Sequence, residues 1–169
     1  MRINLKDIIH RSDGSIPFEF TMDLSDLCFN GSYPIQNPVK AEGKVVNNAG
    51  ALTLYASVAT VLQLQCDRCL KEFSREKVVE VESLVADHLD NELSEENDEI
   101  LLMEGTELDL EDALRTAFIL DMDTKILCSE DCKGLCAQCG ADLNLGPCKC
   151  GKEIDPRLAV LAKLLEEKK

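Results

Sequence analysis

No stretch of this chain approaches the roughly 20 consecutive apolar residues of a membrane span. The opening "MRINLKDIIHRSDG" has no apolar run long enough for a signal peptide. The expectation is a soluble, cytoplasmic protein without a membrane partner. Tryptophan is absent and aromatic residues make up only 4%, so the core must be built from Val, Leu, Ile and Ala. Basic residues are also short: 18 Lys and Arg stand against 32 Asp and Glu, a formal net charge of -14. That excludes a broad basic footprint for nucleic acid and makes a basic partner the easier electrostatic match. There are two histidines, His10 and His88, and neither has metal-type spacing to a cysteine. No Ser/His/Asp set, glycine-rich phosphate loop or carboxylate pair in an apolar setting is present, so the reading is not an enzyme.

What is present first is strand patterning. In "PFEFTMDLS", Phe18, Phe20, Met22 and Leu24 alternate with Glu19, Thr21 and Asp23, a period of two with one apolar face. "VKAEGKVV", the turn composition "NNAG" and "ALTLYASVATVLQLQ" read as a hairpin. "REKVVEVESLVA" (Arg75–Ala86) alternates Val79 and Val81 against Glu80 and Glu82. The fold class expected is α+β: an antiparallel β-rich N-terminal half over residues 1–86, as an open barrel or meander. An acidic linker or loop follows over 87–106. Residues 107–169 then hold a helix, a cysteine-rich zinc module and a C-terminal helix.

Fourteen Asp or Glu and no Lys or Arg lie between Val78 and Leu114. Within that run "DNELSEENDE" reads as a solvated loop; its sharper reading is an arm for a basic partner. In "LDLEDALRTAFIL", Asp109 is the expected N-cap, and Leu110, Ala113, Leu114, Ala117 and Phe118 form one helical stripe. "DPRLAVLAKLLEEKK" starts a second helix, with Asp155 as N-cap and Pro156 at the first helical position.

Nine cysteines in C-x-x-C and C-x-C pairs are too many and too tightly spaced for an ordinary disulfide framework, and the count is odd. In a reducing compartment such clusters are metal or redox sites. "CAQCG" has the form of a zinc knuckle, with a glycine after the second cysteine that allows the positive φ of the turn. With "CKC" it gives one four-thiolate site: Cys136, Cys139, Cys148 and Cys150. Cys128 and Cys132, at i and i+4 on one helical turn, lack two partners. "CDRC" supplies them as Cys66 and Cys69, for a second zinc that fastens the β hairpin to the C-terminal module. The alternative for "CDRC" is a redox dithiol, which its place between strands rather than before a helix disfavours. Cys28 is expected to be a small buried apolar residue. A four-thiolate zinc has no open coordination position, so both sites are expected to be structural.

Arg68, Lys133, Lys149 and Lys152 lie near the knuckles. They read as solvated side chains, or as a local basic face for a partner or RNA.

"CDRCL" after a β-rich half, then "LDLEDALRTAFIL", "CSEDCKGLCAQCGADLN", "CKC" and "DPRLAVLAKLL", together resemble the YceD family of large-subunit (23S) ribosomal RNA accumulation proteins. The likeness is to the longer-tailed form of Gram-positive bacteria, strongest at Cys66–Leu70 and from Cys128 to Leu165. Ala137 stands where the family knuckle usually has proline. The resemblance implies a bacterial cytosolic role in ribosomal RNA processing or accumulation during large-subunit assembly. It also implies a basic large-subunit ribosomal protein or a pre-ribosomal particle as partner. The first function expected is thus a non-catalytic assembly factor with structural zinc. The alternative is a redox-regulated zinc chaperone or thiol oxidoreductase.

Overall fold

The computed structural model describes residues 1–87 and 100–150. The "DNELSEENDE" stretch, His88, Lys152 and the helix expected from Asp155 lie outside the described residues. Contacts divide the chain into two units. Met1–Gln65 groups with Glu72–Ile126, and Cys66–Lys71 groups with the segment from Leu127 on.

The first unit is built on a five-stranded sheet. Its strands are β2 (Ser15–Met22), β3 (Val39–Asn48), β4 (Ala51–Gln65), β5 (Glu72–Ala86) and β6 (Ile100–Leu102), side by side in that order. The two long central strands pair antiparallel from Leu52 opposite Val85 to Gln65 opposite Glu72. Period two sets the register: Leu52, Leu54, Ala56, Val58, Leu62 and Leu64 are all buried, because alternate side chains share one face. Between β3 and β4, Ala49 and Gly50 both have positive φ, 54° and 101°. A two-residue turn of that handedness matches the twist of its strands.

Strands β2 to β5 form the expected antiparallel meander, but the sheet stays open and becomes mixed at β6, which corrects the barrel alternative. β6 runs parallel to β5, and β2 and β6 are the two edges. A parallel neighbour needs a connection of a dozen or more residues, and residues 87–99 supply the length. A three-residue β6 is also too short an edge to close against β2.

Two further strands, β1 (Arg2–Asn4) and β7 (Glu107–Asp109), form a separate antiparallel pair. Between β1 and β2 lies a one-turn helix, α1 (Lys6–Ile9). After β7 comes α2 (Leu110–Leu120), capped as the sequence predicts: Asp109 Oδ1 accepts from the amides of Glu111 and Asp112. Leu110, Leu114 and Phe118 are fully buried in the same core as the apolar face of the sheet. Each such side chain contributes roughly 1.5–3 kcal/mol by leaving water. Asn47 is buried, with its amide donating to the carbonyls of Ile8 and Ile9 and its oxygen accepting from Gly50. It therefore ends α1 and fixes the β3–β4 turn at once. Among the described residues no helix is long and apolar enough to cross a membrane.

Candidate metal centres

The second unit holds eight of the nine cysteines. Cys66 and Cys69 come from the turn that links β4 to β5, and Cys128 and Cys132 from the segment after Leu127. The sulfurs of these four lie within 4.8 Å of one another. Cys136, Cys139, Cys148 and Cys150 form a second group within the same limit. All are free thiols. Sulfurs in these groups approach to 3.8 Å for Cys66–Cys132, 3.6 Å for Cys69–Cys128 and 3.4 Å for Cys136–Cys148. A tetrahedral ion with metal–sulfur bonds of about 2.3 Å requires sulfurs about 3.8 Å apart, so the spacing suits one ion per group.

Both C-x-x-C turns are built alike. Cys66 N–H donates to the Lys71 carbonyl at 2.9 Å, and Cys136 N–H to the Ala141 carbonyl at 2.8 Å. The residue after the second cysteine donates back to the first: Leu70 to Cys66 and Gly140 to Cys136, each at 2.9 Å. These bonds fold each turn so that its first sulfur faces amides within the turn.

The thiol acidities follow from that arrangement. Burial opposes a charge on Cys66, but the amides of Cys128, Cys69 and Arg68 outweigh it and bring the thiol down to about 6. In the second group the amides of Cys139 and Gln138 bring Cys136 down to about 6. The neighbours move the other way. The Lys71 amide favours a Cys69 thiolate, yet burial and the adjacent sulfurs push Cys69 up to about 12. Burial raises Cys128, and the hydrogen bonds from the Cys132 and Cys66 sulfurs add to it against an opposing one from Cys69. The Cys136 sulfur raises Cys148. Cys139, with burial, pushes Cys150 up to about 12. Each group therefore carries an amide-stabilised thiolate and neighbours that resist a second charge at such short range. A divalent, thiophilic cation removes that conflict, because four thiolates around it satisfy one another's charge through the metal. The donor set fits such an ion, and four thiolates leave it no vacant position.

Cys128 and Cys132 do not lie on a helix. A single turn joins them, closed by Cys132 N–H on the Ser129 carbonyl. The next bend, at Gly134, has φ 74°, and a Cβ there would lie 2.9 Å from the Arg68 carbonyl. Leu135 N–H takes that same carbonyl at 3.0 Å, and Arg68 Nη1 donates to the Cys132 carbonyl at 2.7 Å. Arg68, read from the sequence as a contact for a partner, thus spends part of its guanidinium holding the first group together. Lys133 and Lys149 are exposed. Cys28, expected to be buried, is exposed and joins neither group. It lies in the loop after β2, where Leu24 and Ile35 fill the core instead. The sequence reading missed Asn144 and Gly134. The one signal for them was that "KGLCAQCGADLN" runs on without the spacer a self-contained knuckle would allow.

The two groups differ in access. Cys66, Cys69 and Cys132 are buried, whereas Cys136, Cys148 and Cys150 are half-buried and Cys139 is exposed.

The family model for the large ribosomal RNA subunit accumulation protein YceD matches residues 54–165. Among curated relatives, an Arabidopsis thaliana protein is 27% identical over 87% of this chain and 52% of its own length. It is named large ribosomal RNA subunit accumulation protein YCED homolog 1, chloroplastic. An uncharacterized Mycobacterium tuberculosis protein is 35% identical over 60% of this chain and 49% of its own. The uncharacterized YlbN of Bacillus subtilis is 25% identical over 90% of both chains. The chain thus spans about half the length of the Arabidopsis and Mycobacterium relatives. No solved structure matches it.

Proposed function

The chain belongs to the YceD family, and on that premise we propose that it is a non-catalytic factor supporting accumulation of large-subunit ribosomal RNA, with a structural zinc in each cysteine group. The observation that carries this reading is the sorting of eight cysteines into two closed sets of four. Zinc is the ion that four thiolates at tetrahedral spacing suit best, and with no open position it organises a surface rather than activates a substrate.

The partner we propose is a basic protein of the large subunit. The net charge of -14 supports it. In the first unit a groove of about 550 Å³ offers the matching chemistry: Val81, Leu101, Leu108 and Leu120 supply apolar lining, and four carboxylates supply acid against one cation, Arg2, which pairs with Glu104 and Asp109. Leu120 is 80% exposed there, an apolar anchor point among carboxylates. Lys133 and Lys149 are where direct RNA contact would be sought.

Depletion of the protein in its host tests the function. The ratio of large- to small-subunit ribosomal RNA should fall, and precursors of the large-subunit RNA should accumulate. An unchanged ratio with unchanged precursors overturns the reading.

The exposure of Cys139 beside the acidic thiol of Cys136 favours one second reading, a zinc module that releases its ion on oxidation. Metal counted by native mass spectrometry before and after mild peroxide separates the two. Two ions retained supports the structural role, and reversible disulfides with loss of one ion supports the switch.

A further inference from the structure

Asn144 belongs to the loop between Cys139 and Cys148, the ligand loop of the second group, but its side chain serves the first. Its Oδ1 accepts the Lys133 amide at 2.8 Å, and its Nδ2 reaches Cys132 Sγ at 3.5 Å and Asp142 Oδ1 at 2.7 Å. The two ends of the amide are not interchangeable here, since a backbone donor faces one and two acceptors face the other. Two more links accompany it. Leu143 N–H donates to the Gly134 carbonyl at 2.9 Å, and Leu135 bridges Asp142. The opposite side of this connector is fastened to the first knuckle through Arg68. The short run Cys132–Cys136 is thus held on one side by the first metal group and on the other by the loop of the second.

We infer that Asn144 is a positioning residue that couples the two metal sites, so that filling either one raises the affinity of the other. The inference rests on the proposal that both groups hold zinc. An ion in the second group ties Cys139 to Cys148 and so fixes both ends of the loop that carries Asn144. The entropy of ordering that loop is then already spent when Asn144 meets Cys132. There its N–H stabilises a ligand thiolate without adding charge, as outer hydrogen bonds to metal ligands do. Coupling of this kind is reciprocal by thermodynamic necessity.

The test is a double-mutant cycle on the full chain, read by native mass spectrometry during titration of the metal-free protein with zinc. Protection of cysteines from alkylation identifies which group is filled. In the wild-type chain the one-metal species should stay scarce, and Cys148→Ser should weaken zinc at the Cys66 group about tenfold. Asn144→Ala should weaken that group by a similar factor and let the one-metal species accumulate, filled at Cys136. In the Asn144→Ala background, Cys148→Ser should add little more. Asn144→Asp keeps the acceptor for Lys133 but sets a carboxylate against the Cys132 sulfur, so it should weaken the first group at least as much. Independent, additive losses from Asn144→Ala and Cys148→Ser would overturn the coupling while leaving both zinc sites intact. A chain that takes up no zinc at either group would overturn the underlying metal reading instead.

Discussion

Leu70 and Gly140 stand at the same step of two like turns, each directly after the second cysteine of a C-x-x-C pair, with φ of 59° and 71°. Each sends its amide to the carbonyl of the first cysteine. Only one of the two positions carries the residue that adopts this backbone without cost. A side chain in the left-handed region costs roughly 1–2 kcal/mol, partly offset by the extra freedom glycine has when unfolded. Leu70 is 56% exposed, so removing its side chain loses little packing. Leu70→Gly should therefore raise the thermal midpoint of the metal-loaded protein by a degree or more. Gly140→Val should lower it and slow metal uptake at the second group. A fall with Leu70→Gly would mean the leucine packs in a way its exposure does not reveal.

Single ligand replacements should divide the metal content. Cys66→Ser should reduce bound zinc from two ions to one and free Cys128 and Cys132 for alkylation, with Cys136 still protected. Cys136→Ser should do the converse. Elemental analysis of the purified variants, together with peptide mapping of alkylated cysteines, gives both numbers. If either variant kept two ions, or Cys66→Ser exposed Cys148 before Cys128, the grouping of ligands would be wrong.

Two buried polar residues of the sheet unit should respond in opposite directions. Asn47 satisfies two carbonyls and one amide, so Asn47→Ala leaves those groups without partners at a cost of about 2–3 kcal/mol. Thr60 is also buried, but its hydroxyl has no partner. Thr60→Val keeps the shape and removes the orphan, and should gain up to about 1 kcal/mol. Urea unfolding of both variants checks this pair, and a destabilised Thr60→Val would indicate a water or partner for that hydroxyl.

Much of this architecture could be read from the sequence, and what escaped has a physical reason. The alternation around Phe18 and Val79 set the strand faces, and Asp109 announced its own cap, because both signals are local. The cysteine groups were legible because a metal needs four ligands and the unmatched pairs were few. The parallel placement of β6 was not legible: "ILL" is too short to carry a period, and its partner is chosen by tertiary packing. Nor was the exposure of Cys28, since a loop residue's burial depends on which neighbours the chain folds under it. Arg68 looked like a surface charge, and its link to Cys132 spans 64 residues. The positive φ at Leu70 was hidden for the opposite reason: leucine gives no hint of it, and only comparison with "CAQCG" does.

The groove beside α2 yields a prediction about partner charge. Glu107→Lys with Asp112→Lys reverses two of the four carboxylates that line it, while Leu120→Ser removes its most exposed apolar anchor. Neither change touches a cysteine group, so zinc content should hold at its wild-type value. Recovery of a basic large-subunit protein with the tagged chain should fall about tenfold for the double reversal, and fall less steeply with added salt than it does for wild type. Undiminished recovery would place the partner on another surface.

Asp109 ties stability to acid pH. Burial opposes its charge, but the Asp112 amide and the Arg2 guanidinium outweigh that and hold the carboxyl below its ordinary value of 3.8. The folded value therefore lies below the unfolded one. Its stabilisation is present above the unfolded value and is lost as pH falls through the folded one. Loss of the cap in Asp109→Ala should cost about 1 kcal/mol near pH 6. As pH falls below 3.8 the gap to wild type should shrink, because the unfolded chain takes up the proton before the folded carboxylate does. Acid would strip any thiolate-held metal from both proteins alike, so the difference between them isolates Asp109. Urea midpoints at pH 6 and pH 3 decide the matter. A gap that persists undiminished at pH 3 would mean that Asp109 supports α2 through its shape and not through its charge.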